Sequence, residues 1–133
     1  MEEFRERYKM ADHEWAYAID DQGFVHEYRE GARHSVSVQG GKGLTILHNH
    51  PSGGAFSKAD LFNVADTQNQ GIVASGRYYD YVLQKGTHFK ASAFKKGVTN
   101  ATLTGKDYND AAHKWLTKNQ KKYGYVYYRR KND

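Results

Sequence analysis

Three observations predict an α+β fold, one mostly antiparallel sheet with helices packed against it. Short β-leaning runs alternate apolar and polar residues, glycine- and aspartate-containing turns separate them, and helical spacing interrupts them rather than alternating with them regularly. The chain of 133 residues shows no internal repeat, low-complexity tract or linker, so it reads as a single domain spanning 1–133.

Phe4, Tyr8 and Ala11 recur at helical spacing among charges, which predicts an amphipathic helix over residues 2–11; Trp15 continues that spacing. E-W-A-Y-A-I-D reads as a strand, D-D-Q-G as a turn, and G-F-V-H-E-Y-R-E as the returning strand of a hairpin. H-S-V-S-V alternates as a further strand, and Q-G-G-K-G turns the chain into an apolar run at Leu44, Ile46 and Leu47. From Ser57 to about Asn69 the residues Ala59, Phe62, Val64 and Ala65 predict a helix, with Gly71 placed to close it as a glycine C-cap. I-V-A-S-G, Y-Y-D-Y-V-L-Q and T-H-F-K-A-S-A-F read as three strands. Asp107 then opens a helix with Tyr108, Ala111, Ala112, Trp115 and Leu116 on one face, and Y-G-Y-V-Y-Y-R is a final strand.

Composition narrows the chemistry. The chain has no cysteine, which excludes disulfides and thiolate zinc fingers, so any metal must be held by His, Asp, Glu and water. No stretch approaches the roughly 18 apolar residues of a membrane span, and the charged opening M-E-E-F-R-E-R-Y is unlike a secretory signal, so a cytoplasmic protein with no membrane partner is expected. The formal charge of +5 is concentrated in K-K-Y-G-Y-V-Y-Y-R-R-K. A basic, aromatic strand of that kind suits either single-stranded nucleic acid or a solvated edge strand guarded by charge, and the second reading is the default.

The informative stretch runs from Leu44 to Asp60, L-T-I-L-H-N-H-P-S-G-G-A-F-S-K-A-D. His48 and His50 end a strand at alternate positions, so they leave by one face roughly 6.5 Å apart and can converge on one metal ion. Pro51 and Gly53-Gly54 stop the strand, Ser57 opens the next helix, and Asp60 on its first turn can point back at the histidines. A catalytic zinc takes three protein ligands and keeps a place for water, whose pKa it lowers to about 7. His48, His50 and Asp60 supply such a set, and the Ser57 hydroxyl is placed to donate to an oxyanion. Ser-x-x-Asp taken alone is more often an N-terminal helix cap than a site, and a strand-end histidine alone is commonly a surface residue.

Taken together, H-N-H-P-S-G-G-A-F-S-K-A-D resembles the signature of the JAMM/MPN+ metalloproteases, most closely their bacterial RadC-type branch. The resemblance covers about residues 14 to 92, D-Y-V-L-Q at Asp80 to Gln84 being similar to the strand that follows the motif helix, and leaves the helix and strand at about 107–130 without a specific counterpart. It implies a cytidine-deaminase-like, JAB/MPN-type sheet flanked by helices and zinc-dependent cleavage of peptide or isopeptide bonds. It further implies His48, His50 and Asp60 as zinc ligands and Ser57 as the oxyanion stabiliser. The family's catalytic glutamate starts the first core strand, a setting that Glu14 shares; Glu27 and Glu30 are rivals on position.

Two departures stand out. The stretch from Pro51 to Ser57 is one residue shorter than the family spacing, so the helix start must be re-aimed, and V-S-V-Q-G-G-K-G stands where relatives place a helix. The expected protein is therefore a zinc hydrolase of a peptide or protein substrate. The alternatives are a silent interaction module on the same fold, nucleic-acid binding, and a closed structural zinc site with His34, His88 or His113 as fourth ligand. Bacterial or phage origin is implied by the likeness alone, and the domain could be a piece of a longer protein.

Overall fold

A computed structural model describes residues 15–22, 24–30 (27–30 by backbone alone), 43–49, 56–76, 78–101, 103 and 108–131. The strands are β1 (Trp15–Ile19), β2 (Val25–Glu30), β3 (Thr45–Asn49), β4 (Gly71–Ser75), β5 (Tyr79–Lys85) and β6 (Tyr125–Lys131). The helices are α1 (Lys58–Asp66), α2 (Ala91–Asn100), α3 (Tyr108–Lys118) and α4 (Gln120–Tyr123). The strands form one sheet in the order β2-β1-β3-β4-β5-β6, antiparallel throughout except for the β3–β4 pair. The fold class is therefore α+β, with one parallel β3-α1-β4 unit at the centre of the sheet.

Local chemistry explains the first hairpin. The Asp20 carboxylate accepts from the backbone N–H groups of Gln22 and Phe24 at 3.0 and 2.9 Å, closing the D-D-Q-G turn. Across the middle of the sheet, Ala16, Ala18, Ile46, Ile72, Ala74 and Leu83 form one apolar face. Onto it pack Leu61, Val64 and Ala65 of α1, Phe94 and Val98 of α2, and Leu116 of α3. Leu47, Val73 and Val82 point the other way and gather Trp15, Tyr17 and Ile19. Strands β3 and β4 are thus apolar on both faces, as the parallel pair at the centre of a sheet requires.

Several sequence expectations are corrected. The run T-H-F-K-A-S-A-F is not a strand: from Ala91 it is the helix α2. Its apparent alternation loses to burial of Phe94 and Val98, an i, i+4 pair on one helical face. Gly71 is not a C-cap either; α1 ends at Asp66, Thr67 caps it in extended conformation, and Gly71 is the first residue of β4. On α1 it is Leu61, with Val64 and Ala65, that is buried, while Ala59 is exposed. The expected helix over 2–11, the H-S-V-S-V strand and Asp107 lie outside the described residues. The final strand is found as β6, at an edge of the described sheet, and Gly124 before it supplies the left-handed turn (φ 80°) that ends α4. Among the described residues no helix is long and apolar enough to cross a membrane.

Candidate metal centre

The topology of β3-α1-β4 decides where the motif residues meet. A helix joining parallel strands must start at the carboxyl end of the first and finish at the amino end of the second. The bonds of Lys85 confirm the far end: its Nζ donates to the carbonyls of Val64 and Thr67, at 2.7 and 2.8 Å, at the close of α1. Lys85 itself ends β5 beside the start of β4, where Gly71 pairs with Gln84. The opening of α1, with Ser57 and Asp60, therefore lies toward the carboxyl end of β3, where His48 sits. In open α/β sheets this is the end at which ligands bind.

His48 is 4 % exposed, so it is no ordinary surface histidine. Its register partners are Ala16 on β1 and Ala74 on β4. Cross-strand partners share a face, so His48 lies on the helix-bearing side between two methyl groups. The same row continues through Tyr81 to Arg129. Phe56, fully buried immediately before Ser57, packs its ring on Tyr81 at 6.3 Å and on Tyr127 at 6.5 Å. The residue that leads into α1 thus sits over the sheet row that contains His48.

Ser57 and Asp60 form a complete capping box. The Asp60 N–H donates to Ser57 Oγ at 3.0 Å, and the Ser57 N–H donates to Asp60 Oδ2 at 2.9 Å. The capping reading of Ser-x-x-Asp is therefore correct as structure, and it leaves room for chemistry. An ionised carboxylate has about four acceptor positions, so capping does not exhaust Asp60 as a ligand. Ser57 is exposed and accepts through Oγ, which leaves its own proton to donate.

Among the described residues no three His, Asp or Glu side chains gather where a metal ion could sit. The described part of the site supplies His48 and Asp60, while His50 and Glu14 lie outside the described residues. A buried imidazole with a helix-held carboxylate at the carboxyl end of a strand fits zinc in donor type. Trp15, which follows Glu14 in the chain, donates its backbone N–H to Asn49 Oδ1, tying the start of β1 to the end of β3. Glu27 and Glu30 lie opposite Ala18 and Trp15 on β2, with β1 between them and β3.

The other histidines are placed elsewhere or engaged. His88 is exposed in the turn after β5, at the far end of the sheet from His48, and His34 lies outside the described residues. His113 Nδ1 is hydrogen-bonded with the Tyr127 hydroxyl at 2.9 Å, and burial holds its pKa below the ordinary value, with Arg129 adding to the effect. In the basic strand, Arg129 lies over the Tyr79 ring at 4.4 Å, and Arg130 donates to buried Asp80 at 3.2 Å.

One residue near the site escaped the sequence reading. The Tyr108 hydroxyl, from the first turn of α3, donates to the Phe56 carbonyl at 2.6 Å. Burial, with the charge of Asp60 as a second cause, pushes its pKa up to about 12. The sequence offered only helical spacing there, since a hydrogen bond between residues 52 apart leaves no local pattern. Comparison of the chain with family models, with curated proteins and with solved structures gives no match.

Proposed function

We propose that this protein is a zinc-dependent hydrolase of peptide or isopeptide bonds, with His48, His50 and Asp60 as ligands, Glu14 as the acid–base residue and Ser57 as the oxyanion donor. The observation that carries the reading is the β3-α1-β4 unit. It directs a buried histidine and a capped Ser-x-x-Asp toward one end of the sheet, from positions 12 residues apart in the chain, His48 and Asp60. Zinc held there would supply a Lewis acid and water of lowered pKa. Glu14 takes the proton of the attacking water and later delivers it to the leaving nitrogen. The Ser57 hydroxyl donates to the oxygen on which negative charge develops. The capping box fixes Ser57 and Asp60 relative to each other before substrate arrives, which is the preorganisation such a site needs.

The test is the metal content of purified protein together with cleavage of peptide libraries and ubiquitin-like conjugates. About one zinc per chain is expected, and Glu14→Gln should keep the metal while losing cleavage. A protein that holds no zinc, or holds it and cleaves none of these substrates, would sink the reading.

A further inference from the structure

We propose that Tyr108 is a positioning residue: by holding the Phe56 carbonyl from α3, it sets where Ser57 and Asp60 stand relative to the strand that carries His48. The inference rests on the reading of Ser57 and Asp60 as site residues. It gives a role to the C-terminal third of the chain, which the motif itself does not use.

Phe56 stands directly before Ser57. Its ring is buried against Tyr81 and Tyr127, and its carbonyl accepts from Tyr108 at 2.6 Å. Ring and carbonyl are thus fixed from different elements, and the next residue is Ser57. Tyr127 is in turn bonded with His113, so α3 reaches Phe56 twice, directly through Tyr108 and indirectly through Tyr127. A third tie comes from α1 itself: Lys58 Nζ donates to the Ala101 carbonyl at 3.2 Å, just past α2. The start of α1 is therefore pinned by contacts distant in sequence.

A matched control exists in the same molecule. The Tyr125 hydroxyl donates to the Leu116 carbonyl, also at 2.6 Å, and so joins β6 to α3 at a carbonyl other than that of Phe56. Tyr108→Phe and Tyr125→Phe each delete one tyrosine-to-carbonyl bond, so a purely structural loss would be common to both. Zinc affinity, cleavage rate and melting temperature would be measured on both variants. Amide hydrogen exchange at Ser57 and Asp60 would be measured in metal-free protein.

Loss of a supporting residue around a metal site lowers affinity or activity by about 10- to 100-fold. Tyr108→Phe is expected at the low end, about tenfold, with faster exchange at Ser57 and Asp60. Tyr125→Phe should retain wild-type zinc affinity and rate. Unchanged exchange at Ser57 and Asp60 in Tyr108→Phe would overturn the inference whatever the metal does. Equal losses in both variants would overturn it too, as would faster exchange with unaltered zinc affinity. If wild type binds no zinc, the hydrolase reading fails by itself, and the exchange comparison still decides whether Tyr108 sets these two residues.

Discussion

Ser57 has one observed duty and one proposed, and a single substitution can separate them. As an N-cap it accepts the Asp60 N–H at 3.0 Å, and as an exposed hydroxyl it is the proposed oxyanion donor. Alanine removes both functions and should cost about 1 kcal/mol of stability. Glycine is nearly as good a cap, costing only about a few tenths of a kcal/mol, yet it has no hydroxyl. Ser57→Gly should therefore melt close to wild type while cleavage falls by about 10²- to 10³-fold, the usual effect of deleting an oxyanion donor. Wild-type cleavage in Ser57→Gly would leave Ser57 as a cap and nothing more. The environment of His48 is equally specific. Ala16 and Ala74 flank it and are fully buried, so a larger side chain has nowhere to go. Ala74→Val should destabilise the fold by about 1–3 kcal/mol, as overpacking of a filled core does, and denaturant unfolding would show it. Motif spacing let the sequence single out His48, Ser57 and Asp60 together, and their role as a site is the proposal made above. The alanines beside His48 and the tyrosine above Phe56 were not legible there, because register and long-range contact decide them.

At the level of elements, α1 has no basic residue in its last turn, and the sequence offered Gly71 to end it. The fold instead brings a cation from β5. Lys85 Nζ donates to the Val64 and Thr67 carbonyls, where the helix dipole is negative, and the same ammonium lies over the Phe89 ring at 5.7 Å. Lys85→Met keeps the stem and removes these bonds, so a loss of about 1.5 kcal/mol is expected from urea unfolding. Gly71 is required for a different reason than capping. A Cβ there would meet the Leu83 carbonyl oxygen at 2.5 Å, so β4 can approach β5 only without a side chain. The helix α2 was illegible for a related reason. No side chain caps its start, and the alternation of Phe89, Ala91 and Ala93 imitates a strand. The decisive feature is that Phe94 meets Phe89, Trp115, Tyr123 and Tyr125, four aromatic rings brought from both sides in sequence. The six described strands, α1 and α3 were legible from their own periodicity, whereas α2 and the single turn of α4 were not.

Across the whole molecule, tyrosine hydroxyls join separate elements: Tyr108 of α3 to Phe56, and Tyr127 and Tyr125 of β6 to His113 and Leu116 of α3. Burial raises the pKa of Tyr81, Tyr125 and Tyr127 above the ordinary value of 10.0, and takes Tyr108 to about 12. The consequence for stability follows from linkage. Above pH 10 the unfolded chain loses these phenolic protons while the folded chain keeps them, so the folded state binds more protons and stability falls as pH rises. Their contribution is whole below pH 10 and is lost progressively above it, as pH rises toward and through the raised folded values. The molecule should therefore unfold in alkali as one cooperative event, with the phenolate absorbance of these buried tyrosines arriving together with the loss of helical circular dichroism. Tyr125→Phe removes one of the ionising groups, so stability in this range should fall less steeply, by up to one proton or about 1.4 kcal/mol per pH unit. Gradual ionisation of all eleven tyrosines centred near pH 10, with the dichroism intact, would show that these hydroxyls are open to water. The hydroxyls that tie β6 to α3, and α3 to Phe56, would then not be sealed inside the fold. Because Tyr108 is one of them, the same titration examines whether the anchor of Phe56 survives as long as the rest of the core. Its loss ahead of global unfolding would appear as a phenolate step absent from Tyr108→Phe.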